Sequence, residues 1–124
     1  MIRSGPLKIK LQLFCGDEIA MGPGKADLLE AISAQGSISA AGRALGMSYR
    51  RTWLLVDVMN RCFRAPLVET AAGGSRGGGA RLTTLGADLL AQYRALEKQC
   101  GIGVESKALD RLTAELLPEP KEAQ

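Results

Sequence analysis

Two consecutive arginines near the middle of the chain have the chemistry needed to read a DNA duplex. Arg50 and Arg51 come after a turn at Gly46 and begin two residues after Ser48, a residue type that caps helices. A guanidinium group donates two hydrogen bonds to guanine, and the free amides of a helix N-terminus favour phosphate. Arginines on a helix are also ordinary solvated residues, but this turn and a basic hairpin downstream favour DNA contact. The predicted reading segment is Ser48, Tyr49, Arg50, Arg51 and Thr52.

A glycine-rich tract lies downstream, with five glycines among the seven residues from Gly73 to Gly79. A phosphate-binding P-loop requires a lysine and a hydroxyl residue directly after its glycines, and neither follows here. An interdomain linker would need a second domain, whereas the remaining sequence supports one or two helices. The flanking segments APLVETA and ARLTT are typical of strands, which predicts a hairpin tip. Arg76 and Arg81 would then contact phosphate or the minor groove, unless the tip contacts nothing.

The formal net charge of the chain is +3, but the charged residues are unevenly distributed along the sequence. The segment 43–81 contains seven arginines and two acids, whereas the segment 97–124 contains six acids and four bases. Histidine is absent, and Cys15, Cys62 and Cys100 form no paired motif. These counts argue against a zinc site, a disulfide framework and histidine-based catalysis, and predict buried cysteines in a reducing cytosol. Because no apolar run is long enough for a membrane span, the expected location is the cytoplasm.

The elements that position these residues are predicted from periodicity. Residues 7–14 alternate between apolar and polar, which indicates a half-buried strand. The next helix ends at Gly36, because glycine is the usual residue just after a helix C-terminus. A short helix follows, capped by Ser37 or Ser39 and ending at Leu45.

The longer helix that Ser48 caps is predicted to run to Phe63. Its apolar stripe consists of Tyr49, Trp53, Val56, then Met59 or Asn60, and Phe63. Trp53 is therefore expected in the core rather than against a base. Close packing of the short helix against this one is assigned to the small residues Ala40, Ala41 and Ala44.

A further helix is predicted from a cap at Thr84 to Gln99, with an apolar side of Leu85, Leu89, Leu90, Tyr93 and Leu96. Its stripe and the later Leu109, Leu112 and Leu116 form the predicted dimerisation surface. The fold class is mostly α with a small β-sheet (α+β), a winged helix-turn-helix. Its order is an N-terminal strand, three helices, a β-hairpin wing and a C-terminal dimerisation helix. The predicted DNA-binding domain spans 1–100, with its dimerisation helix at 84–100, and a short helical and polar tail spans 101–124.

The sequence resembles a known family over residues 7–98. The segments GSISAAGRALGMSYRRTWLLVDVMN and PLVETAAGGSRGGGARLTTLGADLLAQYRAL are similar to the N-terminal DNA-binding domain of ModE, the molybdate-responsive regulator, and more distantly to the LysR type. The resemblance implies a dimer on a palindromic operator, with 37–45 as supporting helix, 48–63 as recognition helix and 73–79 as wing tip. Supporting DNA contacts are then expected from Ser37, Ser39, Arg43, Arg76 and Arg81.

The function predicted from the sequence is sequence-specific binding of double-stranded DNA by a homodimeric transcriptional regulator. We expect no catalytic residue, no metal and no cofactor. Full-length ModE proteins continue into molybdate-binding domains, so the expectation for a chain ending at Gln124 is a stand-alone regulator without molybdate sensing. Such a regulator would respond to a protein partner, to another small-molecule effector, or to its own concentration. Two alternatives remain open, a winged-helix protein-interaction module and a phosphate- or nucleotide-binding protein that uses the glycine-rich loop.

Overall fold

The computed structural model describes residues 1–71 and 79–123. Within them the chain forms six short strands, paired two by two in antiparallel ladders, and five helices. The strands are β1 Ile2–Ser4, β2 Leu7–Ile9, β3 Leu13–Cys15, β4 Glu18–Met21, β5 Val68–Thr70 and β6 Ala80–Leu82. The helices are α1 Pro23–Gln35, α2 Ile38–Ala44, α3 Tyr49–Cys62, α4 Thr84–Gly101 and α5 Lys107–Glu115. The predicted α+β winged helix-turn-helix is confirmed.

The N-terminal region differs from the single predicted strand. The alternating segment 7–14 is divided between β2 and β3, which belong to two separate hairpins. Gly5 and Gly16 each begin a two-residue turn with positive φ, 55° and 60°. Since glycine adopts this backbone conformation without strain, each turn pairs its own flanking residues. The alternation was read correctly as extended chain, but the local turns determine which strands pair.

The core is centred on α1. This helix buries Ala26, Leu28, Leu29 and Ile32, all fully inaccessible to solvent. Helices α2, α3 and α4 and strand β6 all contact α1. The other buried apolar side chains packed around it include Ile38, Ala41, Val56, Met59, Leu67, Val68 and Tyr93. Because α2 and α3 both pack against α1, the core constrains their relative orientation.

Helix α4 is anchored at its N-terminal end to the residues that precede the wing. Thr83, and not Thr84 as predicted, is the N-cap: its Oγ1 accepts from the Gly86 amide at 2.9 Å and donates to the Pro66 carbonyl at 2.7 Å. A Cβ at Gly86 would overlap the carbonyl oxygen of Leu67. This glycine therefore permits the close approach of α4 to the backbone of Leu67.

A cluster of charged groups joins α4 to α1. The Arg94 guanidinium donates to Asp27 at 2.7 Å, to Glu30 at 2.8 Å and to Glu97 at 2.9 Å. Glu97 is buried and also pairs with the N-terminal amine of Met1. Burial by itself raises the pKa of the Glu97 carboxyl, but the hydrogen bonds from the amine and from Arg94 outweigh it and hold this pKa below its ordinary value.

The apolar residues predicted for dimerisation are partly uncovered. Leu96 on α4 is exposed, as are Leu112 and Leu116 after it, and α5 contains no buried residue. Leu89 and Leu90 are half-buried against the core. None of the helices that the structure describes has both the length and the apolar character that crossing a bilayer requires.

Candidate nucleic-acid interface

The turn between α2 and α3 is built by local capping. Ser37 Oγ accepts from the Ala40 amide at 3.0 Å and so caps α2. The chain turns at Gly46, whose φ is 70°, and the Met47 amide donates to the Gly42 carbonyl at 2.8 Å. Ser48 Oγ then accepts from the Arg51 amide at 3.1 Å and starts α3. Both serines are thus structural caps, and their hydroxyl protons are left to donate to other groups.

The crossing of α2 over α3 is set by one glycine. A Cβ at Gly42 would overlap the Thr52 side chain, so only glycine lets the helices approach this closely. The close packing of these two helices was predicted from alanines of α2. Of these, Ala41 is buried, but Ala44 is exposed. Thr52 is completely buried, and its Oγ1 donates to the Ser48 carbonyl at 2.8 Å. The prediction that Thr52 contacts DNA is therefore wrong, because its side chain lies inside the helix pair.

The remaining residues of the reading segment are exposed at the N-terminal end of α3. Arg50 and Arg51 are both exposed, and the first turn of α3 contains no acidic residue. The first acid along the helix, Asp57, is paired with Arg61 at 2.8 Å. Tyr49 is 69% exposed. This end of the helix thus presents two guanidinium groups, neither paired with an acid among residues 1–71 and 79–123, beside an aromatic ring.

Trp53 does not belong to the core as predicted. It is 37% exposed, and its ring centroid lies 6.0 Å from that of Tyr49 at an interplanar angle of 55°. The buried face of α3 contains Thr52, Val56 and Met59 instead. At the start of the helix the buried face is displaced by one residue from the predicted stripe, with Thr52 buried in place of Trp53. Because Thr52 packs against Gly42, both aromatic residues face outward.

Asn60 connects α3 to the base of the wing, a role that was missed when the residue was counted with the apolar stripe. Its Oδ1 accepts from the amides of Leu67 at 2.9 Å and Val68 at 3.1 Å, and its Nδ2 donates to the Val68 carbonyl at 3.0 Å. In the sequence, the only signal for this role was a single asparagine among apolar neighbours on a predicted helix. A half-buried amide needs hydrogen-bond partners, and these had to come from another segment. Helix α3 and the base of the wing are thereby joined by three hydrogen bonds.

The wing itself is a β5–β6 ladder. Val68 pairs with Leu82, and Glu69 pairs with Arg81. The Ala80 amide donates to the Gly36 carbonyl at 2.8 Å, which ties β6 to the end of α1. The strands on both sides of the glycine tract are thus as predicted, whereas residues 72–78, with Arg76 and most of the tip, lie outside the described part of the chain.

Three of the predicted supporting residues lie on α2 and β6. Ser39 is half-buried, whereas Arg43 is exposed. Arg81 is exposed, and its Nε donates to Glu69 Oε1 at 2.6 Å across the ladder. Part of the charge of Arg81 is therefore neutralised by Glu69.

Two lysines that were not predicted lie beside Arg51. Lys10 and Lys25 line a surface recess with Arg51, next to Gly22 at the start of α1. Burial lowers the pKa of Lys25; Cys62 and Glu18 partly oppose this effect, and the charge of Arg51 adds to it. The sequence places these three cations far apart, so only the tertiary structure shows that they form one group.

The described residues contain no cluster of cysteine and acidic side chains suited to a metal. The three cysteines are free thiols, but Cys15 and Cys100 are exposed and only Cys62 is partly covered. The prediction that they are buried is therefore wrong for Cys15 and Cys100. Both of these lie at the ends of elements, where a small apolar side chain need not enter the core.

Three curated proteins have sequences related to this chain. The chain is 44% identical over 89 residues to the molybdenum transport protein ModE of Azotobacter vinelandii, a match that covers 72% of this chain and 31% of that protein. It is 49% identical over 77 residues to the molybdenum-pterin-binding protein MopB of Rhodobacter capsulatus, covering 62% and 28%. It is 36% identical over 107 residues to the DNA-binding transcriptional dual regulator ModE of Escherichia coli K12, covering 86% and 37%. The predicted ModE-type resemblance is confirmed.

The ModE-like chain spans about a third of the length of these relatives. No family model matches it. Among solved structures, the DNA-binding domain of CbnR, determined in complex with DNA, superposes with a TM-score of 0.51 at 21% identity, covering 73% of this chain and 93% of that one. At this identity the likeness concerns the fold alone.

Proposed function

We propose that this ModE-like chain is a sequence-specific DNA-binding transcriptional regulator. The observation that carries the proposal is the N-terminal end of α3, where Arg50 and Arg51 are exposed while Thr52 beneath them is buried against α2. In helix-turn-helix proteins this end of the second helix enters the major groove. The relative in Escherichia coli K12 is named a DNA-binding transcriptional regulator, which supports the same function.

The two arginines have different roles in this proposal. Arg50 projects from the outer side of α3 and donates to a guanine edge. Arg51 lies in the recess with Lys10 and Lys25, and this group of cations contacts the phosphates of one strand. Ser48 keeps its cap and donates its hydroxyl proton to a phosphate.

Further backbone contacts come from α2 and the wing. Ser37, Ser39 and Arg43 lie on or next to the helix that crosses the DNA backbone in such motifs. Arg81 on β6 reaches a phosphate when its bond to Glu69 is exchanged for one to DNA. These residues position the protein, whereas sequence is read from α3.

The regulator is proposed to act as a homodimer on a palindromic operator. The exposed Leu96, Leu112 and Leu116 supply an uncovered apolar surface on or after α4. The DNA-binding domain would then span 1–100 and the tail 101–124. A two-fold dimer places its recognition helices about 34 Å apart, one turn of DNA. The same proposal holds that the protein is cytoplasmic, is not an enzyme, and needs no cofactor for DNA binding.

Selection of bound duplexes from a random pool, followed by mobility shifts over a range of salt concentrations, tests this function. We expect a consensus with two half-sites and an affinity that falls with salt at a log–log slope of about 0.9 per neutralised phosphate. Arg50→Ala should weaken the selected duplex by about tenfold or more relative to random DNA, since a bidentate base contact discriminates by about 1–3 kcal/mol. Arg51→Ala should weaken both duplexes equally and reduce the salt slope.

Lys121→Ala is the matched control, because it removes one exposed positive charge from the tail. It should leave the preference for the selected duplex unchanged. Absence of any duplex retention at low salt would refute the proposal and favour a protein-interaction module. Equal loss of specific and random binding in Arg50→Ala would show that this arginine contacts only phosphate.

A further inference from the structure

The aromatic pair of Tyr49 and Trp53 is the feature of the interface that the arginines do not explain. Both side chains are exposed, at 69% and 37%, although aromatic rings of this size usually contribute to a core. Their centroids are 6.0 Å apart, a separation at which aromatic rings interact, and the planes are inclined at 55°. The two rings therefore form one apolar surface rather than two independent side chains.

This surface lies on the side of α3 that faces the wing. Trp53 precedes Asn60 by seven residues, close to two helical turns, so both project from the same side of the helix. Asn60 is bonded to the wing base at Val68. The recess with Arg51 is also lined by Leu55 and residues at the start of α1, away from the wing. The aromatic surface and the cationic recess thus flank Arg50 on opposite sides.

The surroundings of the pair favour a nucleic acid over an apolar protein surface. Arg50 stands between Tyr49 and Trp53 in sequence, Arg51 follows it, and no acid lies in the first turn of α3. An apolar partner would have to desolvate these guanidinium groups without compensation, whereas DNA supplies acceptors for them. In the major groove, the only apolar group that a base pair presents is the 5-methyl group of thymine.

We propose that Tyr49 and Trp53 together recognise thymine 5-methyl groups on the wing side of the base that Arg50 reads. This inference rests on the proposed function and adds a second element of specificity to it. The helix reads hydrogen-bonding groups through Arg50 and methyl groups through the aromatic pair. The operator half-site therefore contains one or two thymines adjacent to the guanine contacted by Arg50.

Replacement of single thymines by deoxyuridine in the selected duplex tests the proposal, because only the methyl group is removed. We expect one or two positions per half-site to bind about fourfold more weakly, the factor that corresponds to one buried methyl group. In Trp53→Ala this penalty should disappear, and in Arg50→Ala it should persist. Deoxyuridine outside the half-sites is the matched DNA control and should have no effect.

Trp53 is the sole tryptophan of the chain, so the wild-type protein supplies a second measurement that needs no variant. Its fluorescence emission should change on saturation with the thymine duplex and change less with the deoxyuridine duplex. If Trp53→Ala does not fold, Trp53→Phe replaces it in the binding comparison. The deoxyuridine penalty is then expected to be smaller than in the wild type.

Three results would overturn the inference while the proposed function stands. These are specific binding without any deoxyuridine penalty, a penalty that is undiminished in Trp53→Ala (or in Trp53→Phe where the alanine variant does not fold), and an emission that is unchanged on saturation. Equal weakening of thymine and deoxyuridine duplexes by Trp53→Ala would also refute it, since the ring would then contact only the backbone. If no duplex is retained at low salt, the proposed function itself fails.

Discussion

Asn60 on α3 is hydrogen-bonded twice to Val68 at the base of the wing. Its Nδ2 donates to the Val68 carbonyl at 3.0 Å, and its Oδ1 accepts from the Val68 amide at 3.1 Å. The same Oδ1 accepts from Leu67. One amide side chain on α3 therefore satisfies three backbone groups of the segment that leads into the wing.

Replacement of Asn60 by leucine is expected to destabilise the fold and to uncouple the wing. The amides of the buried Leu67 and Val68 would lose their acceptor, and a buried unsatisfied group costs about 1–3 kcal/mol. We expect the free energy of unfolding, measured with urea, to fall by about 2–3 kcal/mol. Asn60→Asp keeps both acceptor contacts and should lose about 1 kcal/mol.

The matched control for Asn60 is Gln92→Leu, which removes an exposed side-chain hydrogen bond to Asp88 at 3.3 Å. Such surface changes alter stability by about 0.5 kcal/mol or less. If Asn60→Leu were no more destabilising than this control, the wing would be held by the β5–β6 ladder and the Gly36 contact alone.

Gly42→Ala is expected to disturb the crossing of α2 and α3, because the added Cβ would overlap Thr52. Overpacking of this kind costs about 1–3 kcal/mol. Gly24→Ala is the control, since Gly24 lies in α1 with open space around it and alanine favours helix. We expect Gly42→Ala to lower the thermal midpoint and Gly24→Ala to leave it unchanged or raise it.

The double variant Gly42→Ala with Thr52→Ala tests whether Gly42→Ala is destabilising because its Cβ overlaps the Thr52 side chain. Truncation of Thr52 makes room for the new methyl group, so the two substitutions should be less destabilising together than the sum of their single effects. Strict additivity would show that Gly42 matters through its backbone freedom rather than through contact with Thr52.

The stability of the fold should depend on pH through Glu97. Its pKa is lower in the folded protein than in the unfolded chain, so its contribution is present above the unfolded pKa, about 4.3, and is lost as pH falls through the folded value. Urea unfolding from pH 7 downward should therefore show a loss of stability on acidification. The loss should be smaller in Glu97→Gln, whose side chain does not titrate.

Glu119→Gln in the exposed tail is the control for the acid titration. It should retain the pH dependence of the wild type. A Glu97→Gln profile that parallels the wild type at all pH values would mean that Glu97 does not carry the acid sensitivity.

The sequence by itself determined the features that depend on a few neighbouring residues. Ser37 and Ser48 were predictable as caps, because a cap bonds to an amide three residues away in the same chain. Gly36 and Gly46 were predictable as helix ends, because their positive φ is a local property of glycine. The helix-turn-helix and the strands beside the glycine tract follow from such signals, and so do the exposed arginines just after the second cap.

Only the tertiary structure decided which side of α3 is buried. Periodicity fixes the spacing of a stripe but not its phase, and here the close approach of Gly42 buries Thr52 and leaves Trp53 exposed. Asn60 and Lys25 likewise acquire their roles from residues distant in sequence, Val68 and Arg51. Contacts between distant segments depend on how the helices pack around α1, and that packing is a property of the whole core rather than of any local stretch.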